Sequence, residues 1–166
     1  MKDNGNELFP IVDEQGHTLG SIRRSEAHGG SKVLHPVVHL HLFDSQGRLY
    51  LQLRPLWKDI QPGKWDTACG GHMAFGETVS EALRREVKEE LGITDFVPEF
   101  LGRYVFESER ERELVNVHRT TYYGPVMRNT DELADGRFFT PTEIRENLGK
   151  DLFTPNFESE YSRFFL

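Results

Sequence analysis

Residues 71–93 read Gly71-His72-Met73-Ala74-Phe75-Gly76-Glu77-Thr78-Val79-Ser80-Glu81-Ala82-Leu83-Arg84-Arg85-Glu86-Val87-Lys88-Glu89-Glu90-Leu91-Gly92-Ile93. A helix is predicted over 78–91. Val79, Leu83, Val87 and Leu91 recur one turn apart and, at about 100° per residue, make an apolar stripe, while Glu81, Arg84 and Lys88 fall on the opposite side. Gly92 stands where a left-handed C-terminal cap belongs. Glu86 and Glu90 lie beside or within the stripe, and Glu89 one step further round. Carboxylates one turn apart repel, and desolvation on a half-buried flank sharpens the repulsion. The pattern therefore asks for a cation. Hard oxygen donors grouped in this way suit Mg²⁺ or Mn²⁺, which share oxygen coordination with substrate phosphates. Arg85 is placed to orient one carboxylate by a bidentate contact, and the Gly70-Gly71 pair lets backbone approach a ligand or metal closely. An ordinary solvated Glu/Lys/Arg helix accounts for Glu81, Arg84 and Lys88 but leaves the glycines unexplained.

The surrounding chain brings the total to 166 residues, the size of one ordinary domain. Residues 1–7 are polar and are expected to form a flexible tail, with 8–166 as a single domain. A hydrophobic content of 37% beside 28% charged residues excludes a disordered chain. No run approaches the roughly 20 apolar residues of a membrane span, and the first residues lack the apolar core of a signal peptide. A cytoplasmic protein is expected. The single cysteine, Cys69, cannot form an intrachain disulfide, which fits a reducing compartment. With 20 Lys+Arg against 27 Asp+Glu, a nucleic-acid polymer is an unsuitable partner, whereas a cation site lined by carboxylates fits the balance.

Short elements alternate along the chain. Leu8 to Val12 and Leu19 to Ile22 flank Asp13-Glu14-Gln15-Gly16 as an N-terminal hairpin. Val33 to Phe43 has strand periodicity, with His35, Val37, His39 and His41 on one parity, and His39 and His41 are read as exposed. Leu49, Leu51 and Leu53 mark the next strand, stopped by Pro55. Phe100 to Phe106 and Leu114 to Tyr123 are strands around the charged loop 107–113. Thr140-Pro141-Thr142-Glu143 has the form of a capping box, and Thr154-Pro155 repeats the cap-plus-proline start, so the C-terminal third reads as strand, helix, helix. The aromatic stripe Phe153, Phe157, Tyr161, Phe164 and Phe165 is expected to pack on the core, with a homodimer contact as its other use. Together these elements make an α+β domain with helices flanking a mixed sheet.

From Gly71 to Ile93 the stretch satisfies G-x5-E-x7-R-E-U-x-E-E-x-G-U, with U aliphatic, at every specified position. This is the Nudix box, and the chain resembles the Nudix hydrolases, which cleave nucleoside diphosphates linked to another moiety and related organic diphosphates. The resemblance implies an α/β/α sandwich whose box forms a loop-helix-loop, and a metal-dependent pyrophosphohydrolase using Mg²⁺ or Mn²⁺ on a small-molecule diphosphate. It makes Glu86 and Glu90 the principal metal ligands and Glu89 a third ligand or the base. Glu77 and Arg85 brace the box, and backbone at Gly71 completes the site. An acid of the 107–113 loop, such as Glu113, is the second choice of base.

Pro62 to His72 is also similar to the matching stretch of type I isopentenyl diphosphate isomerase, a Nudix-fold enzyme that moves a double bond. That enzyme holds one metal with two histidines seven apart, a histidine just inside the box and an E-x-E pair. His28, His35, His72, Glu111 and Glu113 are the residues offered here, a set suited to Mn²⁺, Zn²⁺ or Fe²⁺. Tyr104 matches an active-site tyrosine there. The isomerase cysteine, however, would stand at Gly70. Cys69 is one residue early, and on a strand that offset turns a side chain to the other face. Cys69 is expected to be a buried, small apolar residue. Glu86 and Glu89 complete the hydrolase box that isomerases degrade, so hydrolysis is the reading, with isomerisation or a binding module without turnover as alternatives. Specificity is expected from the loops 54–64 and 104–113. There Trp57, Trp65 or Tyr104 can stack on a base and Arg54, Lys58 or Lys64 can meet phosphate, although Trp65 suits core packing equally.

Overall fold

The structure, a computed structural model, describes residues 4–131 and 133–166. Residues 1–3 of the expected tail lie outside the described residues. At its other end the Glu7 carbonyl accepts the Arg24 N–H at 2.8 Å and the Gly5 carbonyl accepts the Ser25 N–H at 3.1 Å.

The elements run β1 (Leu8–Val12), β2 (Thr18–Arg23), α1 (Arg24–Ala27), β3 (Leu34–Phe43), β4 (Leu49–Leu53), β5 (Trp65–Thr67), β6 (Cys69–His72), α2 (Val79–Leu91), β7 (Glu99–Glu107), β8 (Arg112–Thr121), β9 (Asp135–Phe139), α3 (Pro141–Asn147) and α4 (Pro155–Phe164). This is the α+β arrangement with a mixed sheet that the sequence predicts. Two compact units form, one of residues up to His39 with 70–86 and 100–118, the other of 40–69, 87–99 and 119 onward.

The first unit is built on a hairpin. β1 and β2 pair antiparallel with Phe9 opposite Ile22, and a register shift falls between Ile11 and Val12. The turn closes because the Asp13 carboxylate accepts the N–H groups of Gln15 and His17 at 3.0 and 2.9 Å, an Asx-type turn. Phe9, Ile22 and Ala27 bury together against Ile11 and Val33. Val12, Leu34 and Leu114 form a second cluster with Val105. In the sheet β8 lies between β3 and β7, and β6 pairs with β3.

In the second unit β4 is central, pairing antiparallel with β5 and with β9, Leu51 opposite Thr67 and Arg137. Leu49, Leu51, Phe139, Ile144, Phe153, Phe157 and Tyr161 make its core. Phe153, Phe157 and Tyr161 of the aromatic stripe are therefore core, as expected, with Phe165 packed against them, whereas Phe164 is half-buried and not part of this cluster. Trp65 packs edge-on to Phe139 at 5.0 Å. Thr140 and Glu143 complete the predicted capping box, and Thr154 caps α4 by accepting the Phe157 N–H at 3.2 Å.

The two strand histidines expected to be exposed are not, and His39 is half-buried. His41 is not an exposed strand residue: it is fully buried, with Nε2 3.0 Å from Oε1 of an equally buried Glu160 on α4. Alternation along β3 identified the strand correctly, but α4 covers the end of the face that His41 occupies. Val38, Leu40 and Leu42 bury the opposite parity, so both faces are covered there. No helix among the described residues is long and apolar enough to cross a membrane.

Candidate active site

α2 begins in the first unit and ends in the second. Thr78 and Glu81 exchange capping bonds at its start, the Glu81 N–H donating to Thr78 Oγ1 at 3.1 Å and the Thr78 N–H to Glu81 Oε1 at 3.0 Å. Gly92, with φ +67°, ends it as the predicted left-handed cap. Ala82, Leu83, Val87 and Leu91 are buried, and Glu81, Arg84 and Lys88 are exposed. In the second unit Glu90 is buried and Glu89 exposed, and the Glu90 carbonyl accepts the Asn129 N–H at 2.8 Å.

In the first unit Arg85 ties the loop before α2 to the helix. Its Nε and Nη2 donate to the two oxygens of Glu77 at 2.8 and 2.9 Å, Nη2 reaches the His72 carbonyl at 3.0 Å, and Nη1 donates to Glu86 Oε1 at 2.8 Å. Glu77 also accepts the Ala74 N–H at 2.7 Å. The bidentate fork fixes direction as well as charge. Glu77 and Glu86 raise the pKa of Arg85, and Arg85 holds the Glu77 carboxyl below its ordinary value against the opposing effect of burial. Gly71 completes the arrangement. A Cβ there would fall 2.2 Å from Cδ of Glu86, so the missing side chain is the space the carboxylate occupies.

The Glu77–Arg85 fork gives a stability prediction with a definite pH sign. Glu77→Gln turns one acceptor into a donor facing the guanidinium, at a cost of about 1–2 kcal/mol at pH 7 for this half-exposed pair. The folded-state pKa is depressed, so the natural side chain's advantage is full above the ordinary carboxylate pKa. It is lost as pH falls through the lower folded value. Urea midpoints of the two proteins should converge on acidification from pH 7 to about 3. A gap that stays constant would contradict the assignment.

A second group of ligand-type atoms converges in the same unit. His28 follows α1, His35 lies on β3, His72 ends β6, and Glu111 and Glu113 come from the turn before β8 and from β8 itself. One donor atom each from His28, His35, His72 and Glu111 lies within 4.8 Å of all the others. His28 Nε2 is 3.0 Å from His72 Nε2 and 2.9 Å from Glu111 Oε2, and His72 Nε2 is 3.4 Å from Glu113 Oε2. Local structure delivers them. The Ser108 N–H donates to the Glu111 carbonyl at 2.9 Å, closing the turn, and the Gly30 N–H donates to the Arg110 carbonyl at 3.0 Å, fastening it beside His28.

His35 shows that the group suits an ion. Its Nδ1–H donates to the Val33 carbonyl at 3.0 Å, which fixes the tautomer and leaves an Nε2 lone pair directed at the group. Nε2 is buried without a hydrogen-bond partner, and Glu111 Oε2 at 3.6 Å is beyond hydrogen-bond range. A buried, unsatisfied nitrogen among convergent donors is what a cation would satisfy. The titrations reflect the same crowding. Burial holds His72 below its ordinary value, with the charges of His28 and His35 adding to it and Glu113 opposing. Burial also pushes His35 down, but Glu111, the Val33 carbonyl and Glu113 outweigh it and the net direction is up. Burial would raise Glu111, yet His28, His35 and the charge of His72 hold it far below the usual carboxylate range.

Cys69 is fully buried, and a Cβ at Gly70 would meet the His39 ring at 3.1 Å, in the first unit. Tyr104 is half-buried on β7. In the second unit Arg54 donates through Nε to the Ile60 carbonyl at 3.0 Å and pairs with Asp66 at 3.6 Å, while Lys64 pairs with Asp151. Trp57 is exposed, with Lys58 Nζ 4.9 Å from its ring centroid. Sequence reasoning missed Phe9, whose ring stacks on His72 at 4.7 Å, because an apolar residue in a strand reads like any core position.

The family model for the NUDIX domain matches residues 33–157. An uncharacterized Nudix hydrolase of Pseudomonas aeruginosa is 36% identical over 135 residues, covering 81% of this chain and 79% of the relative. An isopentenyl-diphosphate Delta-isomerase of Mycolicibacterium vanbaalenii is 38% identical over 135 residues, 78% of this chain and 75% of the relative. The crystal structure of DR0079 from Deinococcus radiodurans superposes with a TM-score of 0.80 at 24% identity, covering 96% of this chain and all of that one. The chain belongs to the Nudix family and has its fold.

Proposed function

We propose that this Nudix protein hydrolyses a diphosphate linkage in a nucleoside diphosphate derivative or a related organic diphosphate, with a divalent ion, Mg²⁺ or Mn²⁺, held by the box. The observation that carries the reading is the seat of Glu86, whose carboxylate fills the space above Gly71 while Arg85 grips both it and Glu77. Glu86 and Glu90 are the proposed principal ligands, with the backbone at Gly71 beside Glu86 completing the site and Glu89 as third ligand or general base. A bound ion would neutralise charge on the diphosphate and lower the pKa of an attacking water. The chain's own residues hold and orient: Arg85 fixes the direction of Glu86, Glu77 fixes Arg85, and a carboxylate, Glu89 first and Glu113 second, takes the proton. Arg54, Lys64 and Tyr104 are the proposed substrate contacts. Residues 8–166 act as one domain in this reading.

A second reading has its own support in the His28, His35, His72 and Glu111 cluster, which matches the isomerase pattern, and in the isomerase relative. Against it, the position of the isomerase thiol is Gly70, and Cys69 is buried.

One assay separates the readings. The protein is incubated with Mg²⁺ or Mn²⁺ and a panel of nucleoside diphosphate derivatives, dinucleotides and prenyl diphosphates, and phosphate-bearing products are followed. Ion-dependent hydrolysis that falls in Glu90→Gln is expected. No turnover of any substrate, or turnover indifferent to Glu90→Gln, would sink the hydrolase reading. Interconversion of isopentenyl and dimethylallyl diphosphate without phosphate release would establish the second reading instead, and tight ligand binding without turnover would indicate a binding module.

A further inference from the structure

Phe9 touches all three imidazoles of the His28, His35, His72 and Glu111 cluster. Its ring lies parallel to His72, with centroids 4.7 Å apart and planes at 1°, nearly parallel to His35 at 5.6 Å and 15°, and tilted against His28 at 5.8 Å and 57°. His35 and His72 are themselves stacked at 5.5 Å and 15°, so Phe9, His35 and His72 form three nearly parallel planes. Phe9 is fully buried.

The three histidines are not held equally by hydrogen bonds. His35 is locked through Nδ1 to the Val33 carbonyl. Among the described residues His28 and His72 make their side-chain polar contacts through Nε2, the atoms that face the cluster. Metal-binding histidines ordinarily have the far ring nitrogen donating to an acceptor, which sets the ring plane. Without it, the last torsion of a histidine is broad and two-fold. At His72 the parallel Phe9 ring takes the place of that hydrogen bond. An ion on Nε2 would also withdraw electron density from the imidazole, which favours its contact with the electron-rich face of a phenyl ring.

The chain secures Phe9 from several sides. β1 pairs Phe9 with Ile22 on β2, and the strand runs on into α1 and His28. The Leu8 carbonyl accepts the Phe75 N–H at 2.9 Å, fastening β1 to the loop that follows His72. The Arg24 guanidinium lies 5.5 Å from the Phe9 centroid.

We propose that Phe9 is a positioning residue that keeps the imidazoles of His72 and His28 oriented for an ion, so that the N-terminal hairpin is part of the centre. This rests on the reading that the cluster takes an ion. The test titrates metal-free protein with Co²⁺ and records the visible ligand-field spectrum at saturation and the affinity. The natural chain should give a spectrum that is lost in His72→Ala and kept in Glu90→Gln. Phe9→Leu, apolar but without a ring, should weaken Co²⁺ binding by about tenfold or more and alter the spectrum of the folded protein. Phe9→Leu with the natural affinity and spectrum would overturn the proposal. A natural chain whose Co²⁺ spectrum is indifferent to His72→Ala would instead overturn the ion-binding reading on which it rests. Should Phe9→Leu fail to fold, the metal-free natural chain decides. The ring protons of His72 should be shifted upfield by the Phe9 ring current in NMR spectra, and unshifted protons would overturn the proposal.

Discussion

Gly71→Ala should fold about as well as the natural chain and lose about 10²-fold in metal-dependent kcat/KM, the scale of a displacement of roughly 1 Å in a catalytic group. The backbone at Gly71 is not in the left-handed region, so an alanine is not strained there. The conflict is with one group. The new methyl would stand 2.2 Å from Cδ of Glu86 and 2.5 Å from each of its oxygens. That carboxylate is the end of a flexible side chain and can swing away at small cost in stability, but in moving it abandons Nη1 of Arg85 and the position proposed for ion binding. Stability and activity should therefore separate. Gly20→Ala on β2 is the control, since its methyl would meet Ile11 Cδ1 at an ordinary 3.9 Å, and its turnover should be unchanged. The measurement is steady-state kinetics on whichever substrate the panel yields, with urea unfolding alongside. Full activity in Gly71→Ala would remove Glu86 from the proposed ion site.

How much of this was legible in the sequence differs between the two groups of ligands. The box could be read directly because its residues share one helix and the loop before it. Helical periodicity, the capping pair Thr78 and Glu81, and Gly92 place them with no long-range information. The seat of Glu86 against Gly71 was only half visible. The glycine signalled close approach, but which side chain filled the space depends on how β6 meets α2. The imidazole cluster could be grouped only through the isomerase resemblance, since nothing local brings His28, His72 and Glu111 together. That convergence is a product of the α1 terminus, β6 and the turn at Ser108. Short elements were the other loss. Trp65–Thr67 and Cys69–His72 are too brief to show a period, and α1 is a single turn. Phe9 and His41 share a cause. Strand alternation says which residues point the same way, and not what covers each face.

His41 leads to the second large effect. Glu160→Ala should destabilise the protein by about 3–5 kcal/mol, because it removes one member of a fully buried pair and leaves the other without its partner. The surroundings give His41 little alternative. Its Nδ1 is already buried without a hydrogen bond, and the ring is bounded by Phe165, edge-on at 5.0 Å, and by Phe157 at 6.2 Å. Water cannot be drawn in without separating α4 from β3. A buried pair of this kind can be worth less than an apolar replacement, so the double variant His41→Leu/Glu160→Leu should recover most of what Glu160→Ala loses. A double-mutant cycle by urea unfolding would read the difference as a coupling energy well outside additivity. The effect should also be the reverse of that at Gly71: stability falls, hydrogen exchange accelerates in α4, and turnover per folded molecule is kept, since neither His41 nor Glu160 is among the proposed ligands or substrate contacts. If Glu160→Ala costs less than about 1 kcal/mol, as for an exposed pair, then water already reaches the pair and α4 does not seal this end of β3.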